Sequence, residues 1–446
     1  MGNLLLGDEM KIKESYYIPV LWRFWICHVI AFLWFLFSVY ISIPWIKDLE
    51  KVIGIVPAIL IIAAIAYIPG YLNAFMVSSL LFDKQPEFKL LNPTDPLSIF
   101  ISCKNEEKGI SDTIRYIAEQ DYEGKMNIIV IDNASTDETS KMAWKAGQEH
   151  QLDLKVIYEE KSGKNFALNR ALKMVDTPLV ITIDADTLLT RSAVRFLVCR
   201  LYSAPKDICA VAGSVLARNS RKNIWTKIQE WDYFLGIASI KRLQGFYQGT
   251  LVAQGAFSLY KREALEELGG WDDAIGEDIV LTWRILQKNC KVYFEPLAVA
   301  FTDVPETFVH LARQRSRWAR GMIEAFKRVK PWNQPAIFTK YMTGTNMIFP
   351  YLDVVYTFVW IPGLILAFFG YYYIVGATIL FVLPLALLTN YAMYHFQRKV
   401  FRRLDLKIRK NIFGFFVYVL TYQMLMSPIS VWGYAQELFK LRRVWK

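Results

Sequence analysis

Cysteine is scarce and scattered in this chain: the five, Cys27, Cys103, Cys199, Cys209 and Cys290, form no C-x-x-C pair. That spacing indicates neither a zinc site nor a disulfide framework and is compatible with a reducing cytosol. Acidic residues are the minority charge, 41 Asp and Glu against 52 Lys and Arg, for a formal charge of +11. The balance suits anionic lipid at a membrane face or an anionic substrate. No recognition motif or continuous basic helix points to nucleic acid, so no nucleic-acid partner is expected. Nor is a cleavable signal peptide, since the first apolar run is long, begins well inside the chain and is followed by a second. What the chain has in excess is apolar and aromatic residues, 54% and 15%, with 14 Trp, 24 Tyr and 29 Phe. This is more than an ordinary soluble domain carries and places part of the chain in lipid.

Apolar runs at Ile18–Ile43 and Val52–Leu81 are long enough to cross a hydrocarbon layer of about 30 Å as helices. A charged stretch with alternating short apolar runs and helical patterns follows, from Phe82 to Thr339. Beyond it come apolar runs at Asn346–Phe369, Tyr371–Tyr394 and Ile412–Trp432. The expected division is 1–82 for two N-terminal crossings, 83–339 for a cytoplasmic domain with interfacial helices at its end, and 340–446 for a C-terminal membrane cluster. The basic loop Gln397–Lys410 belongs inside by the positive-inside rule, together with the N-terminus and the central domain. A full third crossing then puts the basic tail Lys440–Lys446 outside, whereas Ser427-Pro428 suits a kinked or re-entrant segment, and both topologies stay open. The basic, aromatic Lys330–Pro335 segment suits an interfacial amphipathic helix.

Within the polar stretch, Leu97–Ser102, Asn127–Ile131 and Leu179–Ile183 read as buried strands, alternating with helical patterns through Ala118 and Gly147. This alternation implies right-handed βαβ units and a mostly parallel sheet, whose ligands bind at the carboxyl ends of the strands. Polar clusters stand at those ends. Asp132 can accept hydrogen bonds from a nucleobase or ribose, or cap a helix, and Asp137 suits capping. Asp184 and Asp186 point the same way on an extended segment, and two such carboxylates repel unless a cation lies between them. Mg²⁺ or Mn²⁺ bridging a nucleotide diphosphate supplies that cation. Glu277 and Asp278 open a helix, where the dipole favours acids. In Gln314-Arg-Ser-Arg317-Trp318, Arg317 can neutralise a departing diphosphate and Trp318 can offer a flat face to a sugar. The neighbouring Arg313, Arg315 and Arg320 suit lipid headgroups. Asp353, inside an apolar run, is a candidate for lining a path through the membrane.

These motifs resemble the family 2 glycosyltransferases: Asn105-Glu106-Glu107, Asp132–Asp137, Gly163-Lys164 with Ala167-Leu168-Asn169, and Asp184-Ala-Asp186 look like the nucleotide-binding half. The resemblance implies an inverting α/β GT-A fold, Rossmann-like with a mixed, mostly parallel sheet, embedded between transmembrane helices. It implies a nucleotide-sugar site of Asn105, Glu107, Asp132, Lys164, Asp184 and Asp186, with Asp186 on the metal. Gln254–Tyr260, Gly269–Asp272, Gly276–Asp278 and the Q-x-x-R-W of Gln314–Trp318 look like the acceptor side of the processive members. There Asp278, beside Glu277, matches the general base, and Gly255, Gln314, Arg317 and Trp318 face acceptor and diphosphate. Two positions depart from the pattern: Lys104 stands where an aromatic residue is usual and Asn133 where a second Asp is usual. Gly236–Gln244, Val304–Thr307 and Arg317–Gly321 add a resemblance to bacterial poly-β-1,6-N-acetylglucosamine synthases. Hyaluronan, chitin-oligosaccharide and cellulose synthases share the core motifs, and the extra regulatory domain of cellulose synthases is not expected here. The implied partners are a UDP-sugar such as UDP-N-acetylglucosamine, a growing polysaccharide, membrane lipid and a small accessory membrane subunit. The implied location is the plasma membrane. A non-processive enzyme acting on a lipid carrier is the alternative.

Overall fold

A computed structural model describes residues 18–82, 88–376, 382–408 and 410–441. Runs rich in Ile and Val form the sheet: β1 (Leu97–Cys103), β2 (Met126–Asp132), β3 (Leu154–Tyr158), β4 (Leu179–Asp184), β5 (Leu188–Leu189), β6 (Ile208–Ala217), β7 (Phe257–Lys261) and β8 (Lys291–Thr302). Their spatial order is β3-β2-β1-β4-β7-β6-β8-β5. The β3-β2-β1-β4 half is parallel, β7 runs antiparallel to β4 and β6, and β8 is parallel to β6. The mixed, mostly parallel α/β sheet expected from the sequence is thus observed. Successive strand residues face opposite sides. Ile99, Ile101 and Val130 pack on the helix Ile110–Ala118 through Ile114 and Ile117. Phe100, Ile129, Ile131 and Val180 pack on the other face with Ala167, Leu168 and Trp283.

Four helices among the described residues are long and apolar enough to cross a membrane: Val20–Ile53, Ile55–Leu81, Ile337–Phe368 and Ile412–Leu438. Of the expected run Tyr371–Tyr394, residues 377–381 lie outside the described residues; 371–376 are not helical, and the helix Val382–Arg403 continues into basic residues. The end of the basic tail, 442–446, also lies outside them. The helix Ile412–Leu438 passes through Ser427-Pro428 unbroken. Lys330–Pro335 holds only a short 3-10 turn, Pro331–Asn333, in place of the amphipathic helix expected, because two prolines in six residues leave too few amide donors.

Asp353 holds two of the long helices together. Its Oδ1 accepts from Ser427 at 2.8 Å and Gln423 at 3.3 Å, and its Oδ2 accepts from Tyr434 at 2.8 Å. The carboxylate expected to face a path is buried in a helix-helix contact, where hydroxyl and amide donors satisfy it. Farther along the same helix, Gly433 lets the backbone meet the helix Phe308–Arg328. A Cβ there would collide with the Ser316 carbonyl and come within 2.9 Å of Ala319 Cβ. We expect Gly433→Val to lose about 1–3 kcal/mol through overpacking, read as a lower unfolding temperature in detergent. Gly344→Ala, which meets nothing within 4 Å, serves as control and leaves that temperature unchanged or higher.

The sequence gives no spacing cue for a disulfide, yet Cys209 on β6 and Cys290 before β8 are bonded, with Cα atoms 5.7 Å apart and a sequence separation of 81. Parallel pairing of β6 with β8 brings them together, and no local pattern records such a contact. Cys27, Cys103 and Cys199 are free and buried.

Candidate active site

A cavity of about 580 Å³ opens between the end of β4 and the Phe308–Arg328 helix. Lys164, Asp184, Asp186, Gly255, Glu277, Asp278, Gln314, Arg317 and Trp318 all line it. Asn105, Glu107 and Asp132 are not part of that wall. Asn105 lies in the left-handed region at φ 58°, and its Oδ1 accepts from the Thr136 amide at 2.8 Å. Glu107 Oε2 accepts from the Glu138 amide at 3.1 Å. Asp132 is 4% exposed and accepts from the Ser135 amide at 2.9 Å and from the Ser140 hydroxyl. These contacts tie the loop after β1 to the loop after β2. Asp137 caps locally, accepting from the Thr139 amide at 3.1 Å.

Of the Glu106-Glu107 pair, it is Glu106 that senses the aspartates. Burial, then repulsion from Asp186 and Asp184, push its carboxyl up to about 7. The sequence held no cue for choosing Glu106, because the left-handed residue before it resets which way the next side chains point. Asn133 uses both ends of its amide: Oδ1 accepts from Gly163 N at 2.7 Å and Nδ2 donates to Lys161 O at 2.7 Å. A carboxylate cannot make the second bond, so Asn at this position fits the turn that delivers Lys164.

Lys164 Nζ is ion-paired with Asp184 Oδ1. Burial opposes its ammonium, but Asp184, Glu277 and Asp278 outweigh burial and hold its pKa above the usual value. Gly255 makes room for it, since a Cβ would stand 2.6 Å from Lys164 Nζ. Asp186 accepts from Thr302 Oγ1 at 3.0 Å; burial and then Asp184 push it up to about 6. This repulsion, relieved on Asp184 by Lys164, together with hard oxygen donors, fits Mg²⁺ or Mn²⁺. No group of three or more His, Cys, Asp or Glu that could hold a metal occurs among the described residues, so ligand oxygens must complete the shell.

Gly276 precedes the helix Glu277–Gln287. A Cβ on it would come within 2.9 Å of Gly321 Cα, so the Phe308–Arg328 helix seats directly against this turn. Asp278 Oδ1 accepts from the Ile279 amide at 2.8 Å, a helix-start contact made while the residue also faces the cavity. Glu277 is 6% exposed. Burial and then Asp278 push its carboxyl up to about 7, against the pull of Lys164 and Arg317.

A carboxyl raised in the folded state contributes its stability below its unfolded value and loses it as pH rises through the folded one. Glu277→Gln is therefore expected to gain on the parent between pH 5 and pH 8, by roughly 1–3 kcal/mol. Unfolding temperatures at the two pH values check this; a constant difference would contradict the burial argument.

Residues 314, 317 and 318 share one helical face through their i, i+3 and i+4 spacing, and that face meets the cavity. Gln314 Oε1 is buried without a hydrogen-bond partner among the described residues. Arg315 and Arg320, expected at lipid headgroups, are instead buried in ion pairs. Arg315 donates to Asp232 at 2.6 Å and its guanidinium stacks 4.1 Å from the Trp318 ring. Arg320 donates to Glu437 at 2.9 Å. Both find acids on neighbouring elements that sequence spacing does not reveal; Arg313 is exposed.

Lys241, Tyr233 and Asp303, to which the sequence assigns no role, also line the cavity wall. Asp303 follows β8 directly and pairs with Arg218 at 2.8 Å, so the rule of an acid at a strand end, used for Asp184, applied to it too.

Residues 93–321, just over half the chain, match the family model described as "Glycosyltransferase like family 2". The chain is 32% identical over 247 residues to poly-beta-1,6-N-acetyl-D-glucosamine synthase of Staphylococcus aureus, covering 55% of this chain and 59% of that protein. The enzyme of the same name from Staphylococcus epidermidis is 33% identical over 233 residues, covering 52% and 56%. The match therefore spans little more than half the length of these relatives. A mannosyltransferase from Pyrobaculum calidifontis in complex with GDP-Man and Mn²⁺ shares the fold, with a TM-score of 0.60, 20% identity, and coverage of 86% of this chain and 98% of that one.

Proposed function

The chain belongs to the family 2 glycosyltransferases, and from that premise we propose that it polymerises a UDP-sugar, UDP-N-acetylglucosamine, into a β-linked polysaccharide and moves the product across the plasma membrane. The observation that carries this reading is that Asp184 and Asp186, Asp278, and Gln314, Arg317 and Trp318 line one cavity. The Phe308–Arg328 helix that bears the last three packs against the apolar helix Ile412–Leu438 through Gly433. Segments 1–82 and 340–446 embed the enzyme, with 83–339 on the cytoplasmic side where UDP-sugars are available. The partners are donor, growing chain and lipid, with a small accessory membrane subunit as a further one.

In the transfer, Asp278 takes the proton of the acceptor hydroxyl while that oxygen attacks the anomeric carbon. The bond from that carbon to the diphosphate breaks and UDP leaves. Arg317 meets the negative charge that develops on the leaving group. Attack opposite an α-linked UDP inverts the centre and gives a β-linkage. Asp186, with Asp184 beside it, would hold Mg²⁺ or Mn²⁺, which supplies positive charge for the diphosphate oxygens. Lys164 is freed from Asp184 to hold UDP, with Asp132, Asn105 and Glu107 shaping the nucleotide end. Trp318 stacks on the acceptor sugar, beside Gly255 and Gln314.

The test is incubation of the purified protein with Mg²⁺ or Mn²⁺ and a panel of UDP-sugars, following UDP release and product length. UDP-N-acetylglucosamine should give the fastest release and a polymer. Addition of a single sugar to a lipid carrier would favour the non-processive alternative, and preference for another UDP-sugar would move the enzyme among the related synthases.

A further inference from the structure

Lys241 lies in the Gly236–Gln244 segment, to which the transfer chemistry assigns no role. It sits on the helix Ala238–Phe246 and is 8% exposed, yet it lines the same cavity as Asp278, Gln254 and Gly255. An ammonium has three donors. One goes to the Val252 carbonyl at 3.1 Å, the only side-chain hydrogen bond Lys241 makes among the described residues. An amide would serve that carbonyl as well, and an apolar chain would fill the space without the desolvation cost of a buried charge. Burial pulls its pKa down to about 7, and Asp278 is the carboxylate whose field opposes this. Lys164, in contrast, feels Asp184 and Glu277 as well as Asp278. Both lysines line the cavity with Asp278, but Lys164 is ion-paired with Asp184, whereas Lys241 is bonded to the Val252 carbonyl.

We propose that Lys241 is an acceptor-binding residue: its free N–H groups hold a hydroxyl or carbonyl oxygen of the acceptor's terminal sugar, next to the hydroxyl that Asp278 deprotonates. The inference rests on the proposed reading of the cavity and deepens it, because it assigns the region beyond Asp278 to a neutral, oxygen-rich saccharide. When the acceptor is in place, its oxygens supply the further partners that the buried ammonium does not find among the described residues.

The experiment uses the full chain in detergent, with Lys241→Gln and Lys241→Arg. It measures the Kd of UDP with Mn²⁺, and the transfer rate against the concentration of added β-linked N-acetylglucosamine oligosaccharide. A hydrogen bond from a charged donor predicts a rise of about tenfold or more in acceptor KM for Lys241→Gln. The UDP Kd should stay within twofold, which also reports an intact fold, and Lys241→Arg should recover part of the loss. An unchanged acceptor KM in Lys241→Gln, or a UDP Kd that weakens in parallel with it, overturns the assignment. Failure of the underlying reading looks different: full turnover of Asp278→Asn removes the base, and the acceptor site with it, whatever Lys241 does.

Discussion

Asp278→Asn is expected to lower the rate of sugar transfer by about 10²- to 10⁴-fold, the usual contribution of a positioned general base. The substitution is well suited to the question because Asn keeps the shape and still offers an oxygen to the Ile279 amide, the contact Asp278 makes at 2.8 Å. The helix start is preserved and only the proton acceptor is lost. The UDP Kd should change little, so the defect belongs in kcat. Glu277 is the competing base: it is adjacent, and its carboxyl is pushed up to about 7, where a base works efficiently at neutral pH. Glu277, however, is buried and held between Lys164 and Arg317 by attraction, whereas Asp278 is partly exposed to the cavity. Parallel kinetics of Asp278→Asn and Glu277→Gln decide between them. If Glu277→Gln abolishes transfer while Asp278→Asn retains it, the roles are exchanged.

Removal of the divalent cation is expected to cost as much. Chelation should reduce turnover by about 10³-fold or more, since several kcal/mol of charge stabilisation go with the ion, and added Mn²⁺ or Mg²⁺ should restore it. Asp186→Ala should lose the same activity without rescue and should bind UDP no better with Mn²⁺ than without. Asp184→Asn is a useful contrast. Asp184 is already partnered by Lys164, so its removal releases that lysine as well as thinning the carboxylate pair, and a milder defect is expected. Isothermal titration of UDP with and without Mn²⁺ separates the two. Equal metal dependence in Asp186→Ala and the parent would move the cation to other residues.

The acceptor-side motif was legible because its spacing is local. Gln314, Arg317 and Trp318 lie at i, i+3 and i+4, so any helix through them puts all three on one face. Asp184 and Asp186 were legible only as a pair: Asp184 ends β4, but Asp186 stands in the turn that follows it, so a turn rather than the strand alternation expected from the sequence brings both to the cavity. Legibility failed where a single residue left its regular conformation or where a partner came from far along the chain. Next to the left-handed backbone at Asn105, it is Glu106 whose carboxyl is raised by burial and by Asp186 and Asp184, while Glu107 holds the Glu138 amide. Arg315 and Arg320 read as surface cations until Asp232 and Glu437 were brought to them. Asp353 read as a polar residue facing a path until Tyr434 and Ser427, about 80 residues later in the chain, were seen to enclose it.

By itself the sequence determined the alternation of buried strands with helices, the presence of long apolar helices and the order of the acidic and basic motifs. Each of these follows from hydrophobic periodicity or from chemistry within a few residues. Only the tertiary structure decided that Cys209 meets Cys290, that Lys241 reaches the wall beside Asp278, and that Glu106, Asp186 and Glu277 carry raised pKa values. Those outcomes depend on desolvation and on fields between groups far apart in the chain, and such distances exist only once the sheet and its helices have packed.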